Sequence, residues 1–305
     1  MKLYIIGNGF DRGHSLPTQY WDFRTYLSNV YPDFLCAFES HYDIYPSMDE
    51  ESKRSLLWNE LETNLANIDE DIIIEEGKNI CLDLESGDIG IEDTLYDHFS
   101  TEYGYIRKLA QYLKQWVRTI RIRDVRPKTT HIQPNSNALY ITFNYTAVLE
   151  TVYGISPSQI IHIHGSLRNY DDDPILGHGN KDRIEHIEQM RLQAKETYDE
   201  KKSSICEVVE DYYKRTFKDI QRFAVKLWRI VEKDVDEITV IGHSLAGVDL
   251  PYFRDIDLLT NKNAKWTVYY FKEDERDPVW SRLLDCGIDA ARIEMVPSNT
   301  FYDIK

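Results

Sequence analysis

The chain has 305 residues, of which 42% are apolar and 12% aromatic, so it is long and apolar enough to bury a large core. Its 52 acidic residues outnumber 36 Lys and Arg, which gives a net charge of −16. This excess argues against a broad surface for nucleic acids or anionic membranes, since such surfaces gather cations against phosphates. The charge is uneven: residues 49–97 are strongly acidic and residues 107–128 are basic.

The four cysteines lie far from one another in the sequence, and no Cys-x-x-Cys pair occurs. Neither a zinc ribbon nor a local disulfide framework is indicated. No stretch approaches the roughly twenty apolar residues that a membrane span needs. We expect a cytoplasmic protein with reduced thiols and no membrane partner.

An apolar strand at residues 3–6 runs directly into Gly7-Asn8-Gly9-Phe10-Asp11. A strand followed by Gly-x-Gly and a helix is how a parallel sheet presents backbone N–H groups to a phosphate. The spacing lacks the third glycine of the ordinary dinucleotide motif, because the next glycine is Gly13. A tight turn without a ligand therefore stays open as an alternative.

Short β-rich runs, separated by helical stretches, predict a doubly wound, mainly parallel α/β sheet. The predicted strands are residues 3–6, 138–142, 160–163, 174–176, 237–241 and 266–271. We predict one domain over 1–305, with a sheet core from 1–30, 131–180 and 237–305 and two helical insertions, 31–130 and 181–236. No internal repeat or low-complexity linker interrupts this pattern.

Both insertions contain apolar residues at helical spacing, which indicates packing faces. The stripe in the first insertion consists of Tyr105, Leu109, Tyr112, Leu113 and Trp116. The stripe in the second consists of Ile205, Val208, Val209, Tyr212, Ile220, Phe223, Ala224, Leu227 and Ile230.

Polar or glycine-bearing motifs follow several predicted strands, and the carboxyl ends of parallel strands share one sheet edge, where ligands bind. Asn144 follows the second strand, His164-Gly165 the third, and Gly242-His243-Ser244 precedes Asp249. A fourth motif is Gly177-His178-Gly179-Asn180. Each has a structural alternative, such as a helix cap or a buried histidine.

Two other chemistries are less favoured. Residues 242–247 look like the nucleophile elbow of an esterase, but no histidine follows His243, as the order of that triad requires. His162 and His164 alternate on a strand and so point to opposite faces, which disfavours one shared metal. We predict no metal, and expect His162 to pack in the interior.

The motifs GNGFDRGHSLPTQYWDF, TFNYTAVLE, HIHGSL, LGHGN and GHSLAGVDLPYF resemble those of the bacteriophage abortive-infection AbiH family. More remotely, they are similar to the sirtuin-like NAD-binding fold. In that comparison Gly7, Gly9, Asp11, Ser15, Leu16 and Pro17 match the first loop of sirtuins by spacing. Residues 142–146 match the Thr-Gln-Asn motif, His164-Gly165 the catalytic His-Gly, and residues 242–245 the Gly-Thr-Ser-Leu motif. The zinc-binding cysteine pairs of sirtuins are absent, which argues against protein deacylation.

The resemblance implies an antiphage effector that hydrolyses NAD, as substrate, at the nicotinamide–ribose bond. Asn144 would orient water or ribose, and His164 would act as the base. Gly7, Asn8, Gly9 and Phe10 would hold the diphosphate, while Ser244 and Asp249 would hold the adenine-side ribose. The remaining residues expected at the nucleotide are Asp11, Ser15, Gly165, Gly242 and His243. The role of Asp11 stays open, because a carboxylate and a diphosphate repel each other.

Two other functions stay open: a nucleotide-sensing module without turnover, and a hydrolase or nuclease acting on other phosphate esters. A phage-derived or host protein could act as trigger. Self-association into a homo-oligomer is equally compatible with the sequence.

Overall fold

The computed structural model of the chain describes residues 1–70, 73–75, 106–134, 136–168, 171–231, 233–245 and 247–304. Within these residues one parallel sheet of six strands has the order β3-β2-β1-β4-β5-β6. The strands are β1 (Lys2–Ile6), β2 (Ala138–Thr142), β3 (Ile160–His162), β4 (Glu237–Ile241), β5 (Lys265–Tyr270) and β6 (Ile293–Pro297). This is the strand order of a Rossmann sheet, and the predicted α/β class is confirmed.

Both faces of the sheet are covered, because side chains alternate along each buried strand. In β1, Leu3 and Ile5 enter one core cluster, together with Phe223 and Tyr252 from helices on that face. Tyr4 and Ile6 enter a second cluster with Phe10, Val148 and Phe301 on the other face. Each strand therefore packs on two sides, as a doubly wound sheet requires.

The α-helices are bounded as follows: α1 (Asn8–Gly13), then Tyr20–Val30, Pro32–Ser40, Glu50–Leu56, Leu61–Asn64, Ile106–Thr119, Val148–Thr151, Lys181–Glu196, Glu200–Thr216, Ile220–Ala224, Trp228–Val231, Leu250–Leu259 and Glu273–Asp285. No helix in the described ranges is long and apolar enough to cross a membrane. Cys36, Cys206 and Cys286 are free thiols, whereas Cys81 lies outside the described residues.

The chain divides into two compact units. The first comprises Met1–Asp22, Leu113–Ile175 and Asp219–Lys305 and contains the whole sheet. The second comprises Phe23–Tyr112 and Leu176–Lys218 and is helical. The prediction of a single domain over 1–305 stays a prediction, and part of the acidic segment 49–97 lies outside the described residues.

The second unit contains buried charges that are paired. Lys218 is almost fully buried and its ammonium lies 2.7 Å from Glu62. The Tyr213 hydroxyl donates to Glu70 at 2.6 Å. A buried charge is costly unless it is paired and hydrogen-bonded, so these contacts stabilise the unit.

One strand prediction is wrong, and one strand was not predicted. Residues 174–176 lie outside the sheet, since Pro174 has no N–H to donate and a three-residue run makes few ladder bonds. The sixth strand is instead β6, at the sheet edge. It is only half-buried and contains Glu294 and Pro297, so its sequence lacks the apolar run of a central strand.

The helical stripe of the second insertion is confirmed on the helix Glu200–Thr216, where its members Ile205, Val208, Val209 and Tyr212 are buried. In the first stripe, Leu109, Leu113 and Trp116 are buried on the helix Ile106–Thr119. Tyr105, which was predicted to begin that stripe, lies outside the described residues.

Candidate active site

The register of the sheet brings the predicted motifs to one edge. Ile6 lies level with Thr142 on one side and with Ile241 on the other. Thr142 in turn lies level with His162. The residues that follow these strands therefore emerge side by side, at the switch point between β1 and β4 where open sheets of this order bind ligands.

The loops after β1 and β4 touch each other through their backbones. Gly9 N donates to Gly242 O at 2.7 Å, and Gly7 N donates to Ile241 O at 3.0 Å. Phe10 N donates to Gly7 O at 3.0 Å. Three of the four amides predicted to hold a diphosphate therefore already donate to protein carbonyls. A diphosphate could bind these amides only by replacing the carbonyls as their acceptors. That role stays a prediction.

Asp11 is buried and binds two side chains from the loop after β2. Asn144 Nδ2 donates to Asp11 Oδ1 at 2.9 Å, and Thr146 Oγ1 donates to Asp11 Oδ2 at 2.5 Å. Asn144 Nδ2 also donates to Gly7 O at 3.1 Å. Both donors of the Asn144 amide are thus used, and the orientation of the amide is determined.

The Asn144 Oδ1 atom is buried and accepts no hydrogen bond from any residue that the structure describes. A buried acceptor without a donor costs free energy, so such an atom needs an explanation. A hydroxyl of a bound ligand or a water molecule would supply the donor. The Asp11 carboxylate accepts from Asn144 and Thr146, so it fixes the orientation of the Asn144 amide.

Burial raises the pKa of Asp11 to about 6, against the opposing effect of hydrogen bonds from Thr146 and Asn144. The folded-state pKa is therefore above the ordinary value of 3.8. Ionising Asp11 costs the folded state more than the unfolded state, so its contribution to stability decreases as the pH rises through this interval.

Asp11→Asn is expected to become more stable relative to wild type as the pH rises from 4 to 7. The gain should reach about 3 kcal/mol, from about 1.4 kcal/mol per pKa unit. The measurement is the free energy of unfolding of both proteins by urea across this pH range. Asp124→Asn, at an exposed position, is the control. A constant difference between Asp11→Asn and wild type would contradict the raised pKa.

Behind Asn144 lies a polar chain that sequence reasoning missed. His162 Nδ1 donates to the Asn144 carbonyl at 3.1 Å, and its Nε2 lies 2.9 Å from Glu150 Oε1. Arg168 donates to Glu150 at 3.1 Å and, through two nitrogens, to Asp171 at 2.7 and 2.8 Å. His162 is buried, as expected from the strand alternation, and this chain fixes the loop that bears Asn144.

A second cluster joins two histidines through one carboxylate. His164 Nε2 lies 3.5 Å from Asp249 Oδ1, and His243 Nε2 lies 3.5 Å from Asp249 Oδ2. Leu245 N donates to His243 Nδ1 at 2.9 Å, so neutral His243 has its proton on Nε2, towards Asp249. The separations are long for hydrogen bonds, but such bonds commonly shorten once substrate is bound.

Aromatic rings enclose this cluster. Phe143 contacts the rings of both His164 and His243, with centroids 5.2 and 4.5 Å apart. Tyr252 lies 5.5 Å from His164, and Phe253 lies 5.0 Å from His243. Phe143 directly precedes Asn144. It therefore connects the cluster of His164, His243 and Asp249 to the hydrogen-bonded group of Asp11, Asn144 and Thr146. Apolar walls lower the local dielectric and strengthen the interaction between an imidazole and a carboxylate.

His164 is held at the strand end by the loop that follows it. Gly165 has a φ of +81°, and a Cβ there would lie 2.4 Å from the carbonyl oxygens of Asp172 and Asp173. Ile175 N donates to the His164 carbonyl at 3.1 Å. Only glycine permits this close approach, so Gly165 has a structural role in positioning His164.

Other predicted residues are placed elsewhere. Ser244 is exposed. Within the described part of the chain its only hydrogen bond is the one that its carbonyl accepts from Arg282 at 2.9 Å. Asn8 is exposed and its side chain donates to Thr18 O at 2.8 Å. Ser15 is exposed beyond the end of α1. Asn180 of the fourth motif caps the helix Lys181–Glu196, since its side chain accepts from Arg183 N. This is the helix-cap role that the sequence offered as the alternative to ligand binding.

Both oxygens of Asp249 face imidazoles, and its predicted contact with the adenine-side ribose stays a prediction. Sequence reasoning also missed Thr146 and Glu150, although both belong to the motif TFNYTAVLE. Across the described ranges, no group of three or more His, Cys, Asp and Glu side chains is placed to hold a metal ion.

A family model for bacteriophage abortive infection AbiH matches residues 3–270, which span the sheet from β1 to β5 and all residues of both clusters. The chain belongs to the AbiH family. The predicted membership is confirmed, and it associates this AbiH protein with antiphage abortive infection. A comparison with curated proteins found no match.

Proposed function

We propose that this AbiH protein is an NAD glycohydrolase, which releases nicotinamide and ADP-ribose. The observation that supports the proposal most directly is the position of the Asp249 carboxylate, 3.5 Å from Nε2 of both His164 and His243. This cluster lies at the carboxyl edge of a sheet with Rossmann strand order, where nucleotides bind. A histidine supported by a carboxylate is an effective base near neutral pH.

The reaction breaks the bond between C1′ of the ribose and the nicotinamide nitrogen. The electron pair of that bond leaves with nicotinamide, and positive charge develops on the ribose. Water then forms a bond to C1′ while His164 accepts its proton. In this proposal His164 keeps its Nε2 proton towards Asp249, Nδ1 is the accepting atom, and the carboxylate stabilises the resulting imidazolium.

Asn144 supplies the contact to the sugar or the attacking water. Its Oδ1 atom is buried and needs a donor, which a ribose hydroxyl or the water provides. Asp11, itself held by Thr146, fixes this amide before the substrate arrives. A preorganised acceptor costs little reorganisation during the reaction, so Asp11 acts as a positioning residue.

The proposed activity fits the association of the family with abortive infection. Hydrolysis of NAD removes the cofactor of cellular redox metabolism, on which phage replication depends. An effector of this kind must be inactive before infection, so we expect purified protein to need an activating trigger or a high concentration to show full turnover.

The experiment is incubation of the purified protein with NAD, alone and with an extract of infected cells, followed by separation of the products by chromatography. We expect nicotinamide and ADP-ribose in equal amounts. Asn144→Ala should reduce the rate by about 10- to 100-fold, the loss expected for one buried hydrogen bond. Asn263→Ala, an exposed asparagine in a turn, is the matched control and should retain the wild-type rate.

Three results would overturn the proposal. Tight nucleotide binding without turnover, including in extracts of infected cells, would indicate a sensing module. Cleavage of phosphate esters that stops after chelation of divalent metals would indicate a hydrolase or nuclease of another class. Unchanged cleavage of NAD by Asn144→Ala would place the site elsewhere.

A further inference from the structure

A cleft of about 570 Å³ lies beside the C-terminal end of α1, between residues 14–17 and 119–128. Its lining contains three cationic side chains, Arg121, Arg126 and Lys128, and one acidic side chain, Asp124. These three cations form no ion pair with any residue that the structure describes. In a chain of net charge −16, a group of cations around one cleft attracts anions locally.

The wall of the cleft is joined to α1 by buried hydrogen bonds. His14 Nδ1 donates to the Phe10 carbonyl at 2.8 Å, and the Tyr153 hydroxyl donates to His14 Nε2 at 2.6 Å. The same hydroxyl accepts from Lys128 N at 3.0 Å. Burial lowers the pKa of His14, so it stays neutral and adds no charge to the cleft. The backbone at Lys128 is thus fixed before any ligand binds, which reduces the entropic cost of binding.

We propose that this cleft is a second binding site, for a small molecule that carries a phosphate monoester or diphosphate group. Arginine matches phosphate oxygens with paired N–H donors, and Arg121 and Arg126 are exposed to the cleft. The volume falls within the roughly 300–1,000 Å³ of small-molecule sites. The net charge of −16 disfavours a long nucleic acid, which needs an extended basic surface.

This site is separate from the proposed NAD site. None of Asn144, His164 and Asp249 lines the cleft. Ser15 does line it, although the sequence placed Ser15 with the nucleotide-binding residues. The proposal therefore goes beyond NAD hydrolysis and can be tested by binding alone.

The test is calorimetric titration of the full chain with inorganic pyrophosphate at constant ionic strength. We expect saturable binding with one ligand per chain, reduced at least about tenfold in the double variant Arg121→Gln, Arg126→Gln. The double variant Arg121→Lys, Arg126→Lys keeps the charges and should lose less affinity. His164→Ala should bind pyrophosphate as wild type does, which separates this result from the fate of the NAD proposal.

The matched control is the double variant Arg118→Gln, Arg123→Gln, which removes the same charge from exposed neighbouring positions outside the lining. An equal loss of affinity in this control would show a general charge effect and overturn the proposal. Absence of saturable binding would overturn it as well. Binding of a single-stranded oligonucleotide at least about tenfold tighter than pyrophosphate would assign the cleft to nucleic acid instead.

Discussion

Asp249→Asn is expected to reduce kcat for NAD hydrolysis by about 10²- to 10⁴-fold, with KM changed by less than about threefold. The carboxylate lies 3.5 Å from His164 Nε2. In the proposed reaction it stabilises the imidazolium that forms as water loses its proton. A neutral amide of the same shape keeps the packing but loses that charge. Since the imidazolium forms only during the reaction, the loss falls on kcat rather than on binding.

Two further variants test whether the Asp249 carboxylate acts through His164. His164→Ala should show a loss at least as large, and the double variant His164→Ala, Asp249→Asn should be no worse than the single, because the carboxylate acts through the histidine. Asp255→Asn lies on the same helix, Leu250–Leu259, and serves as the control. Steady-state kinetics give kcat and KM for each variant, and urea unfolding verifies folding. A change in KM alone for Asp249→Asn would return Asp249 to the ribose-binding role predicted from sequence.

The sheet edge of the site could be predicted from the sequence, and the reason is geometric. Asn144, His164 and His243 each follow an apolar run, and the carboxyl ends of parallel strands meet at one edge. Local apolar pattern was sufficient to place these residues without knowing the strand order. The pattern failed for β6, because an edge strand that is half-buried has no continuous apolar run.

The pairing of side chains within that edge could not be predicted. Asp11 and Asn144 are 133 residues apart, and their contact depends on the register between β1 and β2 and on one rotamer of each. From the sequence, the role of Asp11 stayed open, because its carboxylate would repel a diphosphate bound at the same loop. In the structure its carboxylate faces Asn144 and Thr146 in the interior. The position of Asp249 between two histidines likewise depends on the path of the loop after β4.

Gly242→Ala is expected to reduce the free energy of unfolding by about 3–5 kcal/mol, from two separate causes. The residue has a φ of +70°, which costs an L-residue with a side chain about 1–2 kcal/mol. A Cβ would also lie 2.2 Å from Phe10 N, where only backbone movement could relieve the overlap. Such movement separates the loops after β1 and β4 and breaks the bond from Gly9 N to Gly242 O.

The chain offers a control for each cause. Gly287 has a φ of +82° with nothing described within 4 Å of its Cβ position, so Gly287→Ala measures the backbone strain alone, about 1–2 kcal/mol. Gly7→Ala measures the overlap alone, because its φ of −109° is ordinary but its Cβ would lie 2.5 Å from Gly242 O. Urea unfolding of the three variants should therefore give Gly242→Ala the largest loss. If Gly242→Ala were no worse than Gly287→Ala, the two loops would not be in contact in solution, and the amides of Gly7 and Gly9 would be available to a diphosphate after all.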